Sequence, residues 1–414
     1  MRYYNPNMNK RLKFSKLAVM MAFLSYCWQP VMGQAQTGDE AVDALVALGF
    51  ENVGWTEDSQ ERTYVLQNSA YRLNGVGIGK AVDVIQKMGL PSEKPCRIVV
   101  LDNNVPQISL YYHPINGDSV PETLRSDWNV SYDLGKSWRE ARKVKRKNSS
   151  LFKVDILVYP QLSFMNLIIT QVYQALFDLS PAVEVSLWNG MTFTGQIVIP
   201  VYNDGYGMLE DKVHPGHITL SQRFRLPYHI FGKLTAGFFN GGQYGVDLDM
   251  QYHFKDERFS LLGRIGYTGS SFWDGFRFVY DPTMTLTWSL GARFYWPRYN
   301  TEFTVKGEQY LLKEKGVRAE MIRHFRYCSI GFYAMKAKGA KSNGGFRFQV
   351  ALPPYKYKRH KHWPRVMPSN NFGIIYNAGN ERNYYRQYKA EASDNIMRAN
   401  SFNPYFIKSE LLNY

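Results

Sequence analysis

The sequence predicts a mostly β protein: a transmembrane antiparallel β-barrel of about 12 strands preceded by a small α+β module on the periplasmic side. Three observations carry this. Apolar and polar residues alternate with period two through the C-terminal two-thirds, the first 35 residues read as an export signal, and no apolar run near 20 residues follows residue 30. The last point excludes a polytopic helical membrane protein. A barrel is compatible with it, because only every second strand residue faces lipid and the mean hydropathy stays low, here -0.37. With 414 residues, 30 Tyr and 25 Phe, the chain is too hydrophobic to be a disordered polymer. Its net charge of +15 is compatible with a nucleic acid, an anionic membrane surface or an acidic polymer as partner, and composition does not choose among them.

The N-terminus narrows the compartment. Lys10, Arg11, Lys13 and Lys16 precede an apolar stretch from Leu17 to Trp28, and Gly33 and Ala35 sit at the -3 and -1 positions of a cleavage site, so residues 1–35 read as a signal peptide. Cys27 follows Tyr26, the wrong context for lipidation. Past residue 35 the only cysteines are Cys96 and Cys328, and the sequence leaves open whether they pair.

Residues 36–115 form the α+β module, built as two helix-hairpin units. Val42, Leu45 and Val46 mark a helix ending at Gly49, followed by a hairpin from Val53 to Leu66 turning at Glu57-Asp58-Ser59. The order recurs with a helix from Ile78 to Met88, stopped by Gly89, and strands Arg97 to Leu101 and Gln107 to Tyr112 about Asp102-Asn103-Asn104. Residues 116–150 read as a basic linker, since Lys136 to Lys147 holds seven basic residues against Glu140 alone.

Residues 151–414 are assigned to the barrel. In the clearest segment Val246, Leu248, Met250, Tyr252 and Phe254 alternate with Asp247, Asp249, Gln251 and His253. Comparable strands are expected at Ile218 to Leu226, Leu286 to Trp296, Phe303 to Glu308 and Phe346 to Leu352. Weaker ones fall at Val154 to Phe164, Ala182 to Leu187, Thr192 to Val201, Lys233 to Phe238, Leu261 to Thr268, Arg318 to Ile322 and Ser329 to Ala334. A soluble sandwich also alternates, but its inner face is apolar. Here the wet face carries Arg223, Arg225, Asp247, Asp249, Arg264, Arg293, Lys306 and Arg347, together with Glu302, Glu308, Arg318 and Glu320. That is too much charge for a dry core and suits a hydrated lumen. Aromatic residues gather at strand ends, as Trp273, Phe276 and Tyr280 and as Trp296 and Tyr299, where an interfacial girdle belongs. The first eight of these charges are the candidate ligand-binding residues, with outer-membrane lipid outside the barrel and an acidic polymer inside it as expected partners.

Catalytic and cofactor motifs are expected to be absent. Asp247 and Asp249 have the residue types of a glycosidase pair, but lumen carboxylates beside arginines account for them. His214 and His217 flank Pro215-Gly216 and read as a turn, not a metal site. Gly75-Val76-Gly77-Ile78-Gly79-Lys80 fails as a phosphate loop because Ala81 replaces its Ser or Thr, and it reads as a glycine-rich helix start. Lys356 to Trp363 interleaves bases and aromatics and reads as a solvated loop; on an exported chain an anionic glycan, not nucleic acid, is the ligand it would meet.

Four strings in order, Leu220-Ser221-Gln222-Arg223-Phe224-Arg225-Leu226-Pro227, Gly237-Phe238-Phe239-Asn240 with Tyr244-Gly245-Val246-Asp247, Gly263-Arg264-Ile265-Gly266-Tyr267, and Gly344-Gly345-Phe346-Arg347-Phe348 with Leu352-Pro353, resemble the YjbH (GfcD-like) exopolysaccharide or capsule biosynthesis family. The likeness runs over about residues 150–380, and more weakly over Leu48 to Val53 and Tyr71-Arg72. It implies a non-enzymatic Gram-negative outer-membrane barrel that works with periplasmic or lipoprotein partners in making or exporting a surface polysaccharide, with no catalytic residues to carry over. A structural or adhesive closed barrel, and a barrel enzyme acting on lipid or glycan, are the alternatives.

Overall fold

The computed structural model describes residues 38–114, 125–166, 173–360, 363–379, 384–392 and 402–412. The expected signal peptide lies outside them.

The module is a five-stranded sheet in the order β1-β2-β3-β4-β5. Helix α1 (Gly38–Leu48) leads into the hairpin β1 (Glu51–Glu57) and β2 (Arg62–Gln67); α2 (Asn74–Met88) leads into β3 (Cys96–Asp102) and β4 (Val105–Tyr112). Both units fall where the apolar spacing places them. Asn103 and Asn104 have φ of 46° and 64°, the left-handed pair that a tight two-residue hairpin requires. The units join through a parallel β2–β3 pair, and Ala41, Leu45, Ile78, Val82 and Ile85 pack on one face of the sheet.

Residues 125–150 belong to this module and are not a free linker. They add β5 (Asn129–Ser131) to the sheet edge and place α3 (Trp138–Ala141) on the second face, where Ala141 packs with Val65, Val99 and Leu101. Lys147 exchanges backbone hydrogen bonds with Val53. The cationic side chains of this run cover a folded surface, so its composition imitates a linker.

The barrel begins with twelve antiparallel strands in meander order. These are β6 (Val154–Asn166), β7 (Tyr173–Trp188), β8 (Met191–Asn203), β9 (His214–Leu226), β10 (Ile230–Phe239), β11 (Gln243–His253), β12 (Phe259–Asp274), β13 (Arg277–Trp296), β14 (Thr301–Gln309), β15 (Lys315–His324), β16 (Cys328–Ala337) and β17 (Asn343–Ala351). Each expected alternation falls in one of them to within a residue at its end. A thirteenth pass was not expected: β18 (Arg365–Pro368) and β19 (Asn371–Asn377) are successive pieces of one crossing. The first pairs parallel with β6 and the second antiparallel with β17, leaving a nearly closed barrel. An odd number of up-and-down passes makes first and last strands parallel, as this seam shows.

Side-chain parity divides the wall. The apolar set points outward and stays exposed, including Leu220, Val246, Ile265, Leu290, Val305 and Phe332. The oily faces do not pack into a core, which disposes of the sandwich. Exposed Trp188, Tyr228, Phe254, Trp296, Tyr299 and Phe325 ring the end nearest the module, one or two at each strand connection, as an interfacial belt requires. No helix among the described residues is long and apolar enough to cross a membrane.

Candidate functional site: a plugged and charge-lined lumen

The module caps one barrel end. Gly190 donates to the Asn103 carbonyl at 2.8 Å, and Asn103 Nδ2 donates to Thr192 at 2.7 Å. Tyr132 stacks on His253 with ring centres 4.1 Å apart. Glu257, in the β11–β12 turn, accepts from Ser131 Oγ at 2.6 Å and the Tyr132 amide at 2.8 Å, and burial raises its carboxyl pKa despite those bonds. Further round, Arg72 donates to Asn370 at 2.6 Å, Lys153 meets Glu51 at 2.7 Å, and Arg365 bridges Asp155 to the Ser69 carbonyl. The Lys356 to Trp363 run, expected as a solvated loop, belongs to this seam as far as it is described. Tyr357 donates its amide to the Ala70 carbonyl, and Arg359 binds Asp155 and lies 3.5 Å from Glu51.

The C-terminal segment enters from the opposite end. After β19 the chain doubles back: Tyr384 and Tyr385 lie at the β16–β17 turn, and Lys389 bridges to Asn240 at the β10–β11 turn. Tyr388 reaches into the lumen, stacks on Phe239 and donates to Asp247 at 2.6 Å. The wall is notched for it: a Cβ on Gly266 would lie 1.7 Å from the Tyr388 oxygen. Glu391 and Ala392 lie deeper, the latter against Tyr159 and Ala182.

At the module end the same segment forms α4 (Pro404–Leu412), which packs on the module and is not part of the barrel expected over residues 151–414. Ile407 and Leu411 complete the module core, and Glu410 accepts the Gly75 amide at 2.9 Å, capping the amino end of α2. The glycine-rich run now has its reason: Gly75 and Gly79, one helical turn apart, leave the groove in which Glu410 and Leu411 lie.

Between cap and tail lies a cavity of about 1130 Å³. Arg223 pairs with Asp102 at 2.6 Å and lies 3.5 Å from Glu391, which also holds Lys233 at 2.8 Å. Asp247 pairs with Arg264 at 2.8 Å, and the Arg264 guanidinium covers the Tyr388 ring at 4.8 Å. Asp249 lines the same wall. Arg293 lies 3.5 Å from Glu302, Lys306 3.0 Å from Glu308, and Arg347 3.1 Å from Glu320. Arg225 departs from the expected set, because it faces the module and donates to the Pro106, Gln107 and Tyr132 carbonyls instead of lining the cavity. Seven of the eight candidates therefore share one lumen. Missing from that set were Lys233, Arg318 and the tail residues Tyr388 and Glu391. Parity pointed to the first two, and nothing local marks the others.

Asp247 is committed to Arg264 and Tyr388, so it and Asp249 do not stand as an uncommitted carboxylate pair. His214 and His217 lie within strand β9, where its register against β8 shifts, and not in the expected turn. Cys96 is buried in the module while Cys328 lies on the barrel, and both are free thiols.

Fold and site together define a plugged β-barrel of the outer-membrane type. Among solved structures, the chain is similar to OmpTdeltaL8, a loop L8 deletion mutant of OmpT, an outer membrane protein of Vibrio cholerae; the match has 9% identity and a TM-score of 0.24, covering 48% of this chain and 86% of that one. No family model matches the chain, and no curated protein matches it.

Proposed function

We propose that this chain is an outer-membrane barrel that assists the assembly or export of an acidic exopolysaccharide or capsule without catalysing a reaction, its module facing periplasmic or lipoprotein partners. One observation carries the reading: the described residues lining the cavity include thirteen Arg and Lys against nine Asp and Glu. A cationic surface within low-dielectric walls concentrates a polyanion. The resemblance to the YjbH family supports the choice of polymer. Deleting the gene should reduce surface polysaccharide, and expression in trans should restore it; polysaccharide unchanged by the deletion refutes the reading.

The module and tail favour a second reading, a closed barrel with a structural role. The whole protein in planar bilayers separates the two. A conductance blocked by acidic oligosaccharide supports a polymer path, whereas an electrically silent barrel, in cells whose polysaccharide is unaffected by the deletion, supports the structural role.

A further inference from the structure

Two places in the lumen set like charges directly opposite one another on neighbouring strands, an arrangement that destabilises a sheet unless an anion answers it. Arg223 faces Lys233 across β9 and β10, and the tail supplies the answer as the Glu391 carboxylate. Lys306 faces Arg318 across β14 and β15, with Arg347 nearby on β17. Glu308 and Glu320 are the carboxylates here, but both are shared. Glu308 also takes the Tyr310 hydroxyl and Gln387, and Glu320 sits 3.1 Å from Arg347 but 3.9 Å from Arg318.

Arg318 is the telling residue. Its side chain is 7% exposed, it lines the cavity, and its Nε has no hydrogen-bond partner among the described residues. The guanidinium carbon lies over the Tyr333 ring, 4.5 Å from its centroid, a cation–π contact that leaves Nε for an acceptor. Arg293, also 7% exposed, adds a second buried donor, Nη1, without a partner among the described residues. Donors buried without acceptors cost free energy, and a carboxylate answers two of them at once. Ser289 and Thr304 bring hydroxyls to the same wall. The cavity, at about 1130 Å³, exceeds the roughly 300–1,000 Å³ of pockets for drug-sized ligands.

We propose that Arg318, Arg347 and Lys306, with Arg293 at the edge, bind the carboxylate of a hexuronic acid unit of an acidic polysaccharide, the role Glu391 plays on Arg223 and Lys233. The choice of polysaccharide as source rests on the export reading; the carboxylate chemistry does not.

The test is calorimetric titration of the full chain in detergent micelles with tetragalacturonate, maltotetraose and inorganic phosphate. Saturable, salt-sensitive binding of tetragalacturonate is expected, without binding of maltotetraose. Arg318→Gln and Arg347→Gln should each weaken it by about tenfold to a hundredfold, the loss of a charge-assisted hydrogen bond, and Arg318→Lys by less. Heat-modifiable gel mobility confirms that each variant is folded. Absent binding, binding unchanged in folded Arg318→Gln, or phosphate binding as tightly as tetragalacturonate overturns the assignment. If tetragalacturonate binds as described while gene deletion leaves surface polysaccharide unchanged, the site stands and the export role falls. If deletion abolishes the polysaccharide and nothing binds, the site falls alone.

Discussion

Replacing Leu290 by arginine should destabilise the barrel in a lipid bilayer by about 2–4 kcal/mol, while the same change at the neighbouring Ser289 should cost under about 1 kcal/mol. Leu290 is 65% exposed on the outer face of β13, flanked by Gly263 and Gly307 on the adjoining strands. It lies six residues from Trp296 in the module-side aromatic belt. A strand tilted about 40° climbs roughly 2.5 Å of membrane per residue, which puts Leu290 about 15 Å from that belt and near the middle of an apolar band about 25 Å tall. An arginine there reaches neither water nor a counter-charge. Ser289 faces the lumen between Arg264 and Glu308, where a new cation meets one like and one unlike charge, in water. The assay is denaturant unfolding in lipid vesicles, followed by tryptophan fluorescence and heat-modifiable mobility. The Leu290→Arg cost multiplies the unfolded fraction by roughly 30 to 800. A Leu290→Arg shift below about 0.5 kcal/mol, or equal costs at the two sites, refutes the assignment of lipid and lumen faces.

Ile407→Ala empties a fully buried position of the module core and should destabilise the module by about 2–5 kcal/mol, read as faster proteolysis of the module with barrel mobility unchanged; unchanged protection contradicts the role of α4. In maleimide labelling with peptide mapping, Cys96 should react only after denaturation, since burial pushes its thiol up, and no peptide should link it to Cys328. Glu257 has a folded pKa raised by burial above its ordinary 4.5, so its own contribution to the module seam is fully present below that value and is lost as pH rises through the folded pKa. Glu257→Gln should flatten this dependence in proteolysis of the module–barrel seam, and a slope identical to the parent protein argues against Glu257 as its source.

The barrel wall was legible because lipid and lumen demand opposite chemistry of adjacent residues: Val246 next to Asp247 states the period without help from any partner. The closing pass was not, since Asn371–Asn377 carries Gly373-Ile374-Ile375 where a charged alternation would be, and Ile375 faces inward opposite Arg347. Residues 384–392 form no strand and touch the sheet's pairing through the isolated Lys389–Asn240 bridge, so no period could announce them. Helix α4 buries Phe406, Ile407, Glu410 and Leu411, and the Gly75 amide that Glu410 accepts lies 335 residues earlier in the chain. Likewise the inward direction of Arg264 followed from parity, whereas its sharing of Asp247 with Tyr388 is a tertiary fact.

The odd pass explains why the tail occupies the lumen at all. Strand β6 leaves the module end, so twelve passes return the chain to that end, at Ala351, beside Leu73 and Val76 of the module. Had the chain stopped there, α4 could join the module core directly and the lumen would hold only wall residues. The thirteenth pass carries it instead to the far end, and α4 nevertheless completes the module, so the intervening segment is described first in the lumen, at Tyr388 and Glu391, and then at the module, from Phe402. A carboxylate is thereby delivered to the Arg223–Lys233 pair by a segment outside the sheet. Cap and tail are consequently one assembly: weakening the α4–α2 contact loosens both, and a ligand that displaced Glu391 from its cations would act on the same assembly from within.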